Sequence, residues 1–247
     1  MAQGIAFTGC AGWSLPRAAQ PAFGGEGSHL QRYATRLNAA EINSSFYRPH
    51  AFATYARWAE SVPAAFRFSV KLPKAITHER RLSGCDPLLD EFLAQATGLG
   101  HKLGCLLAQL PPSLAFDERI ARRFFTALRR RWPGQLALEP RHASWFALEA
   151  DALLASRSVT RVLADPVLHE GGQRPGGWQQ LIYLRLHGSP RMYWSAYEAA
   201  LLAALARRIS QARLQGNEVW CIFDNTARGA AADNALALSN AMGQDNA

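Results

Sequence analysis

Eight short apolar runs, each ending at a polar or charged residue, are the feature that most constrains how this chain folds. Most of the segments between them have helical spacing, so strands and helices alternate along the chain. This alternation predicts a parallel sheet, and eight repeats favour a sheet closed into a barrel. We therefore predict an α/β fold with a single (β/α)8 TIM-like barrel of eight parallel strands over residues 1–247. The runs are IAFTGC from Ile5, AAEIN from Ala39, FRFSVK from Phe66, LGCLLAQ from Leu103, QLALEPR from Gln135, TRVLAD from Thr160, LIYLRLH from Leu181 and EVWCIFDN from Glu218.

Length and composition fit one barrel domain. The chain has 247 residues, of which 49% are hydrophobic and 19% are charged, and a barrel of this type needs about 250 residues. The first strand begins within a few residues of the N-terminus, so we expect no signal peptide. No apolar run approaches the roughly 20 residues that span a membrane. We expect a soluble, cytoplasmic protein without a membrane partner.

A formal net charge of +8 raises the question of an anionic partner such as nucleic acid. The chain has three lysines, Lys71, Lys74 and Lys102, so 24 of its 27 basic residues are arginines. The densest basic stretch, residues 119–131, has helical spacing and ends in Arg129, Arg130 and Arg131, where cations complement the helix dipole. We favour a solvated helix face there, and a nucleic-acid-binding patch stays the alternative.

The crossover between the sixth and seventh runs is irregular. Residues 166–178 contain four glycines and two prolines and show no helical period. Such a loop is either a functional lid or a surface excursion, and the sequence favours neither. Its glycine pairs lack the strand-turn-helix context of a dinucleotide-binding motif, so no organic cofactor is indicated. The four cysteines form no C-x-x-C pair, and we expect Cys10, which lies near a strand end, to be a packing residue.

Polar side chains collect where the runs end. Residues two apart on a strand share a face, so Glu41 lies with Asn43, Glu139 with Arg141, and Arg185 with His187. Each pair has a structural alternative, such as ion pairs that close the barrel or a core histidine. Seven of the eight runs nevertheless end in an ionisable or amide side chain, and active sites of such barrels lie where the strands end. We predict a ligand-binding mouth with the substrate-binding residues Trp13, Asn43, Tyr47, Lys71, His78, Gln109, Arg141, Trp145, Asp165, Arg185, Tyr193, Tyr197, Asp224 and Asn225.

Three cations at this mouth favour a small anionic substrate, such as a phosphorylated sugar or a nucleotide. The aromatic residues after the strand ends would stack against a sugar or base, although packing under the loops is their alternative role. We assign Glu41 and Glu139 as general acid and base and His187 as proton donor or acceptor. We expect a hydrolase, a lyase or an isomerase.

Two other functions stay open. The first is a metal-dependent phosphodiester hydrolase, similar to an endonuclease, that acts on nucleic acid with Glu41, Glu139, Asp165 and His187 as ligands. The neighbouring cations count against a divalent metal, which prefers carboxylates without competing positive charge, so no metal ligand is assigned. The second is a non-catalytic module that binds nucleic acid or another anion through its basic surface.

Several motifs in order resemble one family. EINSSFY from Glu41 is similar to E-x-N-x-[ST]-F-Y, and KLPKAITH from Lys71 is similar to K-x-P-x-x-[IL]-T-H. QLPPSL from Gln109, EPRHASW from Glu139, YLRLHG from Tyr183 and the later tyrosine pair match further signatures. The chain thus resembles the domain of unknown function 72 (DUF72) family from Gly9 to about Asn234. The resemblance implies a TIM-like barrel and brings no established reaction.

Two positions depart from the family pattern. The family's opening turn, G-x-S-G-[WY], has Ala11 in place of the serine here, which removes a hydroxyl from the rim. The family's F-N-N at the end of the last strand is Phe223-Asp224-Asn225 here. The acid at position 224 adds a negative charge, and any role there that requires a neutral amide is therefore in doubt.

Overall fold

One mostly parallel sheet of ten strands organises the protein, whose computed structural model describes residues 3–244. The strands lie in the order β7-β9-β10-β1-β2-β3-β4-β5-β6-β8. Apart from the β6–β8 pair, all neighbours in this order are parallel. The strands are β1 (Ala6–Ala11), β2 (Ala39–Ile42), β3 (Arg67–Lys71), β4 (Leu103–Gln109), β5 (Gln135–Glu139), β6 (Val159–Arg161), β7 (Leu163–Asp165), β8 (Gly176–Gly177), β9 (Leu181–Leu186) and β10 (Glu218–Phe223).

The predicted count of eight parallel strands needs a correction at the sixth run. This run is divided at Val162 into β6, which pairs with β5, and β7, which pairs with β9. The Val162 N–H donates to the Leu138 carbonyl at 2.8 Å, which extends the contact with β5 to the point of division. Gly176 and Gly177 add the short antiparallel strand β8 beside β6. The result is a nearly closed, barrel-like sheet.

Helices lie between most of the strands. Residues 3–244 contain seven α-helices: α1 (His29–Tyr33), α2 (Phe52–Glu60), α3 (Asp86–Ala96), α4 (Glu118–Arg131), α5 (Leu148–Ser156), α6 (Ala199–Leu214) and α7 (Ala230–Gln244). Shorter 3-10 helices span Gln20–Phe23, Ser44–Phe46, Thr97–Lys102, Ala143–Phe146 and Glu170–Gly172, and a π-helical turn spans Ala75–Glu79. Between β7 and β9 the chain forms only a 3-10 turn and β8, so the predicted irregular crossover is confirmed. No helix in the described part of the chain is long and apolar enough to cross a membrane.

Aromatic rings fill the inside of the sheet. Trp220 stacks on Tyr183 with ring centroids 6.0 Å apart, and Phe7 lies 4.7 Å from Trp220. These rings belong to an inner cluster of buried residues that also contains Ala39, Cys105, Leu107, Ala137, Val162, Leu181 and Ile222. Because residues two apart share a face, the next inward position on several strands is a predicted site residue. Glu41 follows Ala39, Gln109 follows Leu107, Glu139 follows Ala137, Arg185 follows Tyr183 and Asp224 follows Ile222.

The helices pack against the outer face of the sheet through a larger hydrophobic core. Within it, the Tyr33 hydroxyl donates to the Ala39 carbonyl at 2.8 Å and accepts the Cys10 N–H at 2.7 Å, which ties α1 to β1 and β2. All four cysteines are buried and free, as expected for packing residues. Burial raises the pKa of the Cys10 thiol to about 12, so the thiol stays protonated.

The approach of β1 to β2 predicts that Gly9→Ala destabilises the protein. A Cβ at Gly9 would lie 1.9 Å from the Ala39 carbonyl oxygen, whereas a Cβ at Gly25 would meet no atom within 4 Å. Overpacking of this kind costs about 1–3 kcal/mol. We expect Gly9→Ala to lower the free energy of unfolding in urea by at least about 1 kcal/mol, and the control Gly25→Ala to stay within about 0.5 kcal/mol of wild type. Equal stability of the two variants would show that β1 and β2 do not pair as described.

Candidate functional site

A buried arginine joins three strands at the carboxyl end of the sheet. Arg185, on β9, has no exposed surface and donates to Glu41 of β2 through Nε at 3.0 Å and Nη2 at 2.6 Å. Its Nη1 donates to Glu139 of β5 at 2.6 Å, and its Nη2 also reaches Asp224 after β10 at 3.1 Å. The structure thus brings these four predicted site residues together from different strands. The arginine uses its planar fork to bind carboxylates from three directions.

His187 forms a second bridge above Arg185. Its Nε2 lies 2.8 Å from Glu139 and its Nδ1 lies 3.0 Å from Asp224. Burial lowers the pKa of His187, but the charge of Glu139 and the hydrogen bonds to Asp224 and Glu139 outweigh it and raise the pKa. With a carboxylate at each nitrogen, the ring is best described as an imidazolium that donates two hydrogen bonds.

Arg141 completes this group, which we name the charge cluster: Glu41, Glu139, Arg141, Arg185, His187 and Asp224. The Arg141 Nη2 donates to Glu139, and it lies 2.9 Å from His187 Nε2. Both nitrogens are donors in an imidazolium–guanidinium pair, so we interpret their proximity as convergence on the same Glu139 oxygen. The cluster holds three carboxylates against two guanidiniums and one imidazolium, and its formal charges cancel.

The two carboxylates at His187 stay ionised. Burial favours the neutral acid, but Arg185 and His187 outweigh it and hold the pKa of Glu139 well below its ordinary value. The same two partners lower the pKa of Asp224 against the effect of burial. Both carboxylates therefore accept hydrogen bonds from Arg185 and His187 as anions.

Tyr183 and Ser69 support the cluster from below. The Tyr183 hydroxyl lies 2.9 Å from Glu41 and 2.8 Å from the Ser69 hydroxyl. Both residues are buried. Together with Arg185, the Tyr183 hydroxyl gives both oxygens of Glu41 hydrogen-bond partners inside the sheet. Neither Tyr183 nor Ser69 is marked by the strand-end pattern, because both lie inside apolar runs. The same two-residue alternation would have found Tyr183, which shares a face with Arg185.

Lys71 ends β3 beside the cluster without a carboxylate partner. Its Nζ lies 4.2 Å from the centre of the Phe46 ring, and within residues 3–244 it makes no hydrogen bond or ion pair. Burial and the nearby charge of Arg185 lower the pKa of Lys71 to about 8, against the opposing effect of the carboxylates. His78, whose ring packs edge-on against Phe46 at 4.9 Å, has its pKa lowered by burial and by Lys71. The mouth therefore contains an amine that is partly uncharged near neutral pH.

Tyr193 covers His187. Its ring lies edge-on to the imidazole at 5.4 Å, and its backbone N–H donates to the His187 carbonyl. The residue has φ of 66°, a left-handed conformation that is unfavourable for a tyrosine. The chain holds this conformation through a further bond, from the Ala227 N–H to the Tyr193 carbonyl at 3.1 Å. Tyr193 is 42% exposed, so its ring is accessible to a ligand.

An open recess of about 460 Å³ lies at the carboxyl ends of β1 and β2. Trp13 lines it and packs edge-on against Trp58 and Phe68. Asn43 also lines it, and the Asn43 Oδ1 is buried without a hydrogen-bond partner in the described part of the chain. Trp13 and Asn43 are thus next to a space large enough for a small molecule.

Several predicted site residues have structural contacts instead. Trp145 is 1% exposed and donates from Nε1 to the Leu114 carbonyl, so its ring is not available to a ligand. Tyr197 is buried and donates to the Asp165 carboxylate at 2.6 Å. Asn225 is buried and donates to the Ser195 carbonyl and to Asn234. Tyr47 is 72% exposed beside Phe46, and Gln109 is half-buried at the end of β4.

The four residues of the metal-dependent alternative do not form one set of metal ligands, although Glu139 and His187 are in contact. Arg185 lies between Glu41 and Glu139, and Asp165 accepts from Tyr197. No group of three or more His, Cys, Asp or Glu side chains in residues 3–244 is arranged to hold a metal ion. The carboxylates are instead partners of cationic side chains.

The contacts of His187 predict that Asp224→Asn lowers its pKa. Without the Asp224 carboxylate, burial, which lowers the pKa, is opposed mainly by Glu139. A raised histidine pKa stabilises the fold below about pH 6.5, and this stabilisation is lost as the pH rises through the raised value. The free energy of unfolding of the variant, measured in urea, should therefore change less with pH above 6.5 than that of the wild type.

NMR titration of the imidazole would measure the shift directly. The matched control is Asp165→Asn, because that carboxylate bonds to Tyr197 and not to the imidazole ring. We expect the control to leave the pKa of His187 at its wild-type value. An unchanged pKa in Asp224→Asn would contradict the described bridge.

Comparison with known proteins places the chain in a family. The family model described as protein of unknown function DUF72 matches residues 7–247. UPF0759 protein YecE of Escherichia coli strain K12 is 31% identical over 167 residues, which cover 64% of this chain and 58% of that protein. UPF0759 protein YunF of Bacillus subtilis strain 168 is 23% identical over 259 residues, which cover 92% of this chain and 91% of that protein.

Solved structures of the same family have the same fold. A DUF72 family protein from Thermotoga maritima superposes with a TM-score of 0.80 at 24% identity, covering 96% of this chain and 98% of that one. A DUF72 family protein from Enterococcus faecalis V583 gives a TM-score of 0.79 at 20% identity, covering 98% and 99%. The resemblance carried by the strand-end motifs is confirmed, and the chain belongs to the DUF72 family.

Proposed function

We propose that this protein is an enzyme that binds a small anionic substrate, such as a phosphorylated sugar or a nucleotide, at the mouth of the sheet. The proposal includes a closed (β/α)8 barrel in which β6 and β7 act as one strand, since β6 pairs with β5 and β7 pairs with β9. In barrels of this kind the carboxyl ends of the strands carry the active site.

The observation that carries the proposal is a pair of cationic side chains with free donors beside carboxylates that are already paired. The Nε of Arg141 is buried and has no hydrogen-bond partner in residues 3–244, and Lys71 has no ion-pair partner there. A buried donor without a partner costs about 1–3 kcal/mol. An anionic group of a substrate would satisfy both nitrogens with charge-assisted hydrogen bonds.

The contacts favour different roles for the three predicted catalytic residues. His187, held as an imidazolium and covered by the accessible ring of Tyr193, is the proposed proton donor. Glu139 is hydrogen-bonded to His187 and is the proposed general base, which accepts a proton from the substrate. Glu41 has no exposed surface and is bonded to Arg185 and Tyr183, so it is proposed to position the arginine. Proton transfer of this kind serves a lyase, an isomerase or a hydrolase.

Calorimetric titration with inorganic phosphate tests the anion site. We expect Arg141→Met and Lys71→Met each to weaken phosphate binding at least about tenfold, because a hydrogen bond to a charged group contributes about 1.5–3 kcal/mol. Arg208→Met removes the same charge from an exposed position on α6 and should leave the affinity unchanged. Wild-type affinity in both mouth variants would refute the proposed site.

A second candidate function is the binding of a nucleic-acid backbone, and it rests on a different surface. A cleft of about 530 Å³ lies against α4 and is lined by Arg119, Arg123, Arg130 and Arg157. Arg122 also lines it but is paired with Glu118. The other four form no ion pair in the described part of the chain. Guanidiniums without carboxylate partners are suited to phosphate groups.

Fluorescence anisotropy with a labelled single-stranded oligonucleotide tests the second candidate. We expect the affinity to fall steeply with salt, and the double variant Arg119→Ala and Arg123→Ala to reduce the slope of log K against log salt by about 1.4, or about 0.7 for each lost phosphate contact. Lys71→Met serves as a control, because it removes a cation from the mouth and leaves the cleft beside α4 intact. Binding that is lost in this control but kept in the double variant would place the oligonucleotide at the mouth.

A further inference from the structure

We propose that Lys71 is a carbonyl-reactive amine, which forms a protonated Schiff base with an aldehyde or ketone group of the anionic substrate. The inference rests on the proposed function, because it assigns the substrate class of the same site. It names an anionic aldehyde or ketone as the substrate. Neither the motifs nor the relatives assign such chemistry to this residue.

The position of Lys71 in the fold differs from that of the other two lysines. Lys74 is exposed, and its Nζ lies 3.2 Å from Glu79. Lys102 donates to the carbonyls of Ala59 and Val62 at 2.6 Å each. Both of these lysines have partners that stabilise the charged ammonium. Within residues 3–244, the Lys71 Nζ has no hydrogen-bond or ion-pair partner and lies over the face of the Phe46 ring.

The charges around Lys71 permit a neutral amine. The three carboxylates of the charge cluster are already balanced by Arg141, Arg185 and His187, so the cluster does not require a fourth cation. Burial and Arg185 both favour the uncharged form, which is the nucleophile. Lys71 is 5% exposed at the end of β3, and its side chain lies on the same strand face as Ser69, toward the mouth.

The chemistry balances with groups that the site contains. The neutral Lys71 nitrogen attacks the carbonyl carbon, and a proton moves from nitrogen to oxygen to give a carbinolamine. Donation of one proton, a role that we assign to His187, releases the hydroxyl as water and leaves the iminium ion. Amine, carbonyl compound and one proton thus give iminium and water, with no oxidant or reductant. The iminium then serves as an electron sink for proton abstraction or carbon–carbon cleavage at the neighbouring carbon.

The anionic part of the substrate is assigned to Arg141. Its Nη2 is bonded to Glu139, but its Nε has no partner in the part of the chain that the structure describes. A phosphate or carboxylate a few atoms from the carbonyl group would bind there while the carbonyl carbon meets Lys71. A substrate with both groups should therefore react with Lys71 faster than a neutral aldehyde of the same length.

Reductive trapping tests the inference. Wild-type protein is incubated with glyceraldehyde 3-phosphate and sodium cyanoborohydride, which reduces an iminium to a stable secondary amine, and the modified residues are located by peptide mass spectrometry. We expect early adducts at Lys71 to exceed those at Lys74 and Lys102 at least tenfold. Lys71→Arg should remove this adduct without changing the modification of Lys74. Unphosphorylated glyceraldehyde should modify Lys71 more slowly, and Arg141→Met should remove the difference between the two aldehydes.

The results separate this inference from the proposed function. Adducts at Lys74 or Lys102 equal to those at Lys71 would overturn the Schiff-base role, even if inorganic phosphate still binds through Arg141. A selective Lys71 adduct that forms equally fast from both aldehydes would overturn the anionic substrate class. Selective trapping that depends on phosphate and on Arg141 supports both.

Discussion

The buried guanidinium of Arg185 is the interaction on which the rest of the site depends. Three carboxylates from three strands lie inside an otherwise apolar sheet, where unpaired charge is costly by several kcal/mol for each ion. Arg185 binds Glu41 through two nitrogens and Glu139 through a third, and it also reaches Asp224. An ammonium has no planar fork and could not satisfy these directions together. The arginine thus fixes the relative positions of β2, β5, β9 and β10 at the mouth.

The pairing of the buried carboxylates determines which charged groups the rim of the mouth presents. Because Arg185 and His187 already pair the carboxylates, the mouth presents nitrogen donors instead of negative charge. Lys71 gains its importance from this arrangement, because the cluster is balanced without it. Arg141 contributes to the balance through Nη2, and its Nε still has no hydrogen-bond partner in residues 3–244.

Strand alternation predicted the cluster because a period of two residues is a geometric property of any strand. Glu41, Glu139 and Arg185 followed from it, and the structure brings them together. The division at Val162 was not predictable, because it depends on pairing with strands distant in sequence. Trp145 could not be placed from sequence either, since packing against Phe116 decides which way its ring turns. Aromatic residues after strand ends have no fixed period, so tertiary contacts alone assign their roles.

The stack of Phe7, Trp220 and Tyr183 gives the interior a solid floor. Side chains therefore fill the interior of this barrel-like sheet, which does not form a channel through these residues. A molecule that reacts at the mouth has to leave through the opening by which it entered. In the proposed enzyme, substrate and product would then compete for one path. A reaction with two substrates would require that both fit at the mouth together, or that the first leave part of itself bound to the protein.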